Sequence, residues 1–174
     1  KGRVKYWELI NEPNFSTNPK AYADLVKQVA PLIKSIDPAA VLMGPDTCGI
    51  NVGWYEEIYK QGAGKALGAI SIHDYEGHDG VDWWHWSAKM SAIRTIMTKH
   101  GDAQKPIWQT ERCFFGTYGN LHQGIAQAAR ILLQRDILET FGVSNDHNNH
   151  YYVGVTGYND ISAFVFTQDG PFPA

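Results

Sequence analysis

The stretch Tyr6–Asn14, which reads YWELINEPN, gives the clearest indication of the fold. Residues 4–10 have the character of a strand. Pro13 ends it, because proline has no backbone N–H to donate to a central ladder. Asn11 and Glu12 are therefore predicted to lie at the C-terminal end of a strand. In a parallel α/β protein, that end of the sheet is where ligands bind and chemistry takes place.

The rest of the chain alternates between strand-like runs and amphipathic helices. The spacing of apolar residues predicts helices over residues 21–36, 54–61, 86–100 and 123–141. Buried strands are predicted over residues 41–45, 69–73 and 106–111, and a fifth barrel strand over either 151–153 or 161–166. Strand and helix repeated in this order predict an α/β fold with a parallel sheet. Two architectures have this order: more than half of a TIM (β/α)8 barrel, and a whole small doubly wound sheet.

The composition indicates one globular domain and excludes several classes of partner. The 174 residues are 44% hydrophobic, which is enough for a core. The formal net charge of −3 argues against a nucleic-acid partner, which requires a basic face. No apolar run reaches the roughly 18 residues that a membrane helix needs, so no membrane partner is expected. Cys48 and Cys113 are expected to be free thiols, because two cysteines do not make a disulfide framework.

Two glutamates occupy equivalent positions in the pattern. Glu12 and Glu111 each follow a short strand and precede an irregular segment. Two carboxylates at the C-terminal mouth of one barrel are the groups that cleave a glycosidic bond. One of them protonates the leaving oxygen, and the other attacks the anomeric carbon. A single glutamate at a strand end is as often a helix cap or half of a surface ion pair, so the prediction depends on the pair.

Three motifs resemble one group of enzymes. Trp7–Asn14 resembles the fourth-strand motif of the retaining glycoside hydrolases of clan A, which have a (β/α)8 barrel and end this strand in Asn-Glu. Ser71–Tyr75 resembles the clan's sixth strand and Ile107–Glu111 its seventh, in the clan's order. Families five and thirty-nine are the most similar. The resemblance implies that residues 1–174 are strands four to eight of a (β/α)8 glycoside hydrolase catalytic domain.

The resemblance also implies roles for single residues. Glu12 is expected to be the acid/base, and Glu111 the nucleophile, in a retaining double-displacement hydrolysis of a β-linked glycan. Asn11 is expected to bind the sugar 2-hydroxyl, Tyr75 to orient Glu111 through a hydrogen bond, and His73 to lie beside the site. The expected partner is an oligo- or polysaccharide, and no cofactor is expected.

The departures from the clan's pattern lead to further expectations. In the clan's numbering of strands, the chain starts at strand four and stops where helix eight would begin. Five parallel strands leave two open edges, so the chain is expected to be a fragment of a longer protein and to be inactive alone. The clan's eighth-strand tryptophan has no clear match, and His150, Tyr151 and Tyr152 are the candidates for its place.

Other side chains complete the predicted site. Trp83 and Trp84 follow the strand over residues 69–73 and are predicted to stack on sugar rings, whose C–H faces are apolar. Packing in the core is the alternative for both tryptophans. Glu8 lies four residues before Glu12, an even step along a strand, so it is expected to face the barrel interior and to need a partner there.

Two other functions fit parts of the pattern. A catalytically inactive, carbohydrate-binding relative would keep the aromatic residues and lose the chemistry. A metal-dependent barrel hydrolase would use the histidines, several of which lie near predicted strand ends. Because no His-x-His lies on a strand and no His-Glu-x-x-His on a helix, no metal is expected.

Overall fold

Five parallel strands, arranged in sequence order, form the sheet on which the chain is built. The computed structural model describes residues 4–74, 83–112, 140–146, 164–167 and 170–173. The strands are β1 (Tyr6–Glu8), β2 (Val41–Cys48), β3 (Ala69–Asp74), β4 (Ile107–Arg112) and β5 (Val143–Asp146). Each pairs in parallel with the next one along the chain, as the strand–helix order predicts.

Helices connect the first four strands. They are α1 (Pro19–Ile36), α2 (Val52–Lys60) and α3 (Trp83–Lys99), with short 3-10 turns at Pro13–Phe15 and Ala63–Ala66. The Asn18 side chain accepts a hydrogen bond from the backbone N–H of Ala21 at 3.0 Å, and so caps α1. Residues 123–139 of the predicted fourth helix lie outside the described residues. In the described part of the chain, no helix has the length and apolar character needed to cross a membrane.

The fifth parallel strand differs from the prediction. It is β5, which pairs with β4 and follows directly after Gly142, a residue with a φ of 67°. The predicted segment 151–153 lies outside the described residues. The other candidate, 161–166, overlaps β6 (Phe164–Thr167), which pairs antiparallel with β7 (Gly170–Pro173) in a separate ribbon. Val-Ser-Asn-Asp carries one apolar residue in four, so hydrophobic patterning does not reveal β5.

The two faces of the sheet carry different side chains, because successive residues of a strand point to opposite faces. Ile70, Ile72 and Ile107 are fully buried on the face covered by the helices. Their partners in the core come from the helices: Tyr22, Val26, Tyr55, Ile58, Trp86, Met90, Ile93 and Met97. The alternate residues of β3 and β4 include Ser71, His73, Trp108 and Thr110, so the opposite face is the more polar one and is called the polar face here.

Side chains on the polar face meet across the sheet. The Tyr6 and Trp108 rings, on β1 and β4, have centroids 4.3 Å apart. Thr110 Oγ1 donates a hydrogen bond to Glu8 Oε1 at 2.9 Å. Two strands lie between β1 and β4, and strands in a sheet are spaced about 4.8 Å apart, so these contacts require strong curvature. A doubly wound sheet would place helices on this face, and the fold is instead a partial TIM barrel.

Replacing Gly44 with alanine is expected to destabilise this fold. Gly44 lies on β2, and a methyl group there would overlap the hydroxyl group of Tyr22 from α1. Overpacking of this kind costs about 1–3 kcal/mol in the free energy of unfolding, which chemical denaturation measures. The ring carbon bearing the hydroxyl would lie at 3.4 Å from the methyl, an ordinary contact. Adding Tyr22→Phe should therefore restore most of the lost stability.

Gly53→Ala in α2 is the matched control for this experiment. Its methyl group would meet only the Asn51 side chain, at 3.5 Å. Alanine is also a better helix former than glycine, by roughly 0.8–1 kcal/mol. The control should be at least as stable as the wild type. A Gly44→Ala protein that is as stable as the wild type would contradict the packing of α1 on β2.

Candidate active site

Glu12 is held by the segment that follows β1, and not by the strand itself. The strand ends at Glu8, four residues earlier than the position of Pro13 suggests, and the chain bends before it reaches Glu12. Glu12 has a φ of 47° and a ψ of 61°, in the left-handed region that non-glycine residues rarely adopt. Such backbone strain costs of order 1–3 kcal/mol and is concentrated at functional sites.

A side-chain clamp fixes this strained segment to the neighbouring strand. Asn14 Oδ1 accepts a hydrogen bond from the Cys48 backbone N–H at 2.9 Å. Asn14 Nδ2 donates one to the Cys48 carbonyl oxygen at 3.3 Å. The turn that carries Glu12 is therefore tied to the C-terminal end of β2, and the position of Glu12 is determined by two adjacent strands.

The structure brings Glu12, His73 and Glu111 together. His73 on β3 is next to Glu111 on β4 in the sheet register. Its Nδ1 atom lies 3.2 Å from Glu12 Oε1 and 3.7 Å from Glu111 Oε2. One polar atom from each of the three side chains lies within 4.8 Å of the other two. The two carboxylates thus converge at one end of the barrel, with the buried imidazole against both.

The structure describes only part of the other predicted site residues. Asn11 has an exposed side chain in the bend before Glu12. Trp83 and Trp84 are the first two residues of α3, and their side chains lie outside the described part of the structure. Tyr75 and His150 also lie outside the described residues. Their roles stay predictions.

Glu8 has the interior position expected for it, and Thr110 is its partner. The hydrogen bond from Thr110 Oγ1 crosses the barrel interior at 2.9 Å. Glu8 and Glu12 do not belong to one continuous strand, because β1 ends at Glu8. The even spacing between the two residues therefore does not explain why both face the interior.

Asp46 is the carboxyl group that the sequence interpretation missed. It is fully buried, and a carboxylate oxygen of Asp46 lies within 4.8 Å of polar atoms of Glu8 and His73. Burial raises the pKa of Asp46 to about 8, with smaller contributions from the charges of Glu8, Glu12 and Glu111. The signal available in the sequence was an acid directly after the apolar run 41–45, the same arrangement that identified Glu12.

Cys48 is a free thiol at the edge of the site, as the cysteine count predicts. Partial burial, the negative charge of Glu12, a side-chain hydrogen bond with Glu12 and the charge of Glu111 together raise the pKa of its thiol to about 11. The reactivity of the Cys48 thiol should therefore report on the charge of Glu12, because a nearby negative charge disfavours the reactive thiolate.

Two groups of side chains have a spacing that a metal ion could also use. They are Glu12, His73 and Glu111, and Glu8, Asp46 and His73. In the first, His73 Nδ1 is at hydrogen-bond distance from Glu12. In the second, Glu8 already accepts a hydrogen bond from Thr110. We therefore interpret the first group as a hydrogen-bonded acid–imidazole cluster, and the second as neighbouring acids beside His73.

Comparison with solved structures finds the same architecture. AbfB, a family 51 alpha-L-arabinofuranosidase from Bifidobacterium longum, matches with a TM-score of 0.67 and 13% identity, over 97% of this chain and 42% of its own. A monomeric beta-xylosidase from Caulobacter crescentus CB15 has a TM-score of 0.67 and 22% identity, over 83% of this chain and 33% of its own. A GH39 enzyme from Xanthomonas axonopodis pv. citri has a TM-score of 0.63 and 21% identity, over 83% and 32%.

These likenesses confirm the predicted fold class, a partial (β/α)8 barrel. The chain spans 32% to 42% of the length of the three solved structures. No protein-family model matches the sequence, and no curated protein matches it. The neighbours are glycoside hydrolases by name, which agrees with the resemblance seen in the motifs.

Alkylation of Cys48 should report on the Glu12 charge without any assay of activity. In a Cys113→Ser background at pH 8, we expect iodoacetamide to modify native Cys48 on the order of 100-fold more slowly than the urea-unfolded chain, because only the thiolate reacts. Glu12→Gln should accelerate the native reaction several-fold, because it removes the nearby negative charge. The control Glu56→Gln, on the surface of α2, should have no effect. Equal rates for the Glu12 and Glu56 variants would contradict the placement of Glu12 beside Cys48.

Proposed function

We propose that this chain forms part of the catalytic domain of a retaining glycoside hydrolase that cleaves the O-glycosidic bonds of a β-linked glycan. The observation that carries the proposal is the convergence of Glu12 and Glu111, whose nearest polar atoms in the cluster lie within 4.8 Å of each other. Glu12 follows β1 and Glu111 lies near the end of β4 in one parallel sheet, at the end where (β/α)8 barrels carry out their chemistry.

The separation of the carboxylates supports the retaining mechanism. Retaining glycosidases hold their two carboxyl groups about 5–5.5 Å apart, so that one can attack the sugar directly. Inverting glycosidases keep them about 6.5–9.5 Å apart, to leave room for a water molecule. One carboxylate oxygen of Glu12 and one of Glu111 lie within 4.8 Å of each other, which favours the shorter of the two separations.

The proposed reaction has two displacements. In the first, a Glu111 oxygen bonds to the anomeric carbon while the Glu12 carboxyl group protonates the departing glycosidic oxygen. In the second, Glu12 takes a proton from water, the water oxygen bonds to the anomeric carbon, and the Glu111 ester bond breaks. His73 contacts both carboxylates and holds Glu12 in place through the 3.2 Å contact of its Nδ1 atom.

The proposed substrate is an oligo- or polysaccharide. The names of the solved neighbours, an arabinofuranosidase and a xylosidase among them, support a glycan as the substrate class. In the proposed complex, Asn11 binds the sugar 2-hydroxyl and Tyr75 orients Glu111. Trp83, Trp84 and His150 contribute to the sugar subsites.

We also propose that the chain belongs to a longer protein, and that further strands complete its barrel. The edge strand β1 leaves Tyr6 40% and Trp7 46% exposed, which suits residues that another element covers. The solved neighbours are two to three times longer than the stretch that this chain matches. On this proposal the catalytic variants below are made in the complete protein, and the 174-residue chain alone is inactive.

Azide rescue should separate the roles of the two glutamates. On 4-nitrophenyl β-glycosides, Glu111→Gly should abolish turnover, and azide should restore a glycosyl azide of inverted configuration, because azide takes the place of the nucleophile. Glu12→Gly should lower hydrolysis of natural glycans by about 10²–10⁴-fold, the usual contribution of a general acid–base group. Its azide product should have retained configuration, because azide then attacks the glycosyl-enzyme. NMR of the products gives the configuration.

Glu56→Gln is the matched control, a surface glutamate paired with Lys60 on α2, and should keep wild-type kinetics. Full activity of Glu111→Gly would refute the assignment. Glycan binding by a wild-type protein that shows no turnover would instead support the inactive, carbohydrate-binding alternative.

A further inference from the structure

Asp46 is buried without the partners that a buried carboxylate needs. Its side chain is fully inaccessible, and neither carboxyl oxygen makes a hydrogen bond of ordinary geometry within the described residues. The Glu12 backbone N–H is close enough to lower the pKa of Asp46, in opposition to the larger effect of burial. An ionised carboxylate in this position would pay a large desolvation cost, and neutralisation avoids it.

The backbone aims Asp46 at the site. Asp46 has a φ of 39° and lies where the register between β2 and β3 shifts. Gly44, two residues earlier on β2, faces α1 through its contact with Tyr22. A regular strand would therefore point Asp46 at the helices as well. The irregularity turns its carboxyl group toward Glu8 and His73 in the barrel interior.

Most of the ionisable groups around Asp46 are acids. The groups that interact with Asp46 are Glu8 from β1, Glu12 from the following turn, His73 from β3, Glu111 from β4 and Tyr22 from α1. None of the ion pairs formed within the described residues brings a lysine or an arginine to Asp46. A proton on Asp46 is therefore the simplest way to limit the negative charge below the site.

We propose that Asp46 is a positioning residue that remains a neutral carboxylic acid close to Glu12 and Glu111. In this form it keeps a further negative charge out of the site, and it supports the strained backbone of Glu12. Its effect on catalysis rests on the glycosidase proposal above. Its protonation state does not, because that follows from burial and from the surrounding acids.

The pH dependence of stability tests the protonation state directly. Burial raises the pKa of folded Asp46 to about 8, well above the value of about 3.9 for an unfolded aspartate. Between these values only the folded chain holds the proton, so this group's contribution to stability is complete below pH 4 and is lost as the pH rises to 8. Above pH 8 the loss is complete and stays constant.

The variants Asp46→Asn and Asp46→Gly form the matched pair. Asparagine has the shape of the neutral acid and tolerates a positive φ, while glycine removes the side chain and keeps the backbone free of strain. Relative to Asp46→Asn, the unfolding equilibrium constant of the wild type should rise by up to about tenfold per pH unit between pH 4 and pH 8. A difference that does not change with pH, or a wild type that gains stability relative to the variant, would overturn the proposal.

Kinetics test the positioning role. At pH 5–7, Asp46→Gly should lower kcat at least about tenfold with little change in KM, and Asp46→Asn should restore most of that loss. If asparagine loses as much as glycine, the ionised form is required and the proposal is overturned. If the wild type itself shows no turnover, the glycosidase proposal fails, and the unfolding experiment still decides the state of Asp46. If Asp46→Gly does not fold, Asp46→Asn alone tests both the protonation state and the positioning role. It should show the pH-dependent difference in stability and keep most of the wild-type kcat.

A metal ion is the competing occupant of the Asp46 cluster. The wild-type Tm at pH 7 should be the same in a chelator, in 1 mM calcium and in 1 mM zinc. A rise in Tm that occurs with the wild type and not with Asp46→Asn would mean that ionised Asp46 binds a cation, and would overturn the proposal.

Discussion

The candidate site depends on holding acidic side chains close together at one end of a curved parallel sheet. His73 is the contact that makes this possible, because its Nδ1 atom lies 3.2 Å from Glu12 and 3.7 Å from Glu111. The ring is buried, so the contact is shielded from water and is stronger than it would be at the surface. Without the curvature of the sheet, the turn after β1 and the end of β4 would be separated by the width of two strands.

The same alternation of residues builds the core and the site. Along β3, Ile70 and Ile72 pack against the helices, while Ser71 and His73 face the barrel interior. The interior of this half-barrel accordingly carries polar groups next to the site. One of them is Thr110, which donates a hydrogen bond to Glu8. A polar interior is costly unless its groups are paired or neutral. The hydrogen bond from Thr110 gives Glu8 its partner, and the proposed proton makes Asp46 neutral.

Patterns within single segments allowed most of the architecture to be predicted, and contacts between segments account for what was missed. Glu12 and Glu111 could be paired because each follows a strand of a recognised motif. The β5 strand could not be found, because Val-Ser-Asn-Asp becomes a strand only by pairing with β4. The end of β1 at Glu8 and the left-handed turn at Glu12 depend on the Asn14 clamp to β2, which no local pattern shows. The position of Asp46 after an apolar run was visible in the sequence, but its orientation was not, because it depends on a register shift between β2 and β3.

Covalent trapping of the nucleophile tests the central claim most directly. An activated 2-deoxy-2-fluoro β-glycoside slows the second displacement more than the first, so the glycosyl-enzyme of a retaining glycosidase accumulates. After digestion, peptide mass spectrometry should locate one 2-fluoroglycosyl ester per protein molecule on Glu111. A label on Glu8, Asp46 or Glu12, or hydrolysis that inverts the anomeric centre and leaves no ester, would contradict the assignment of the two carboxylates.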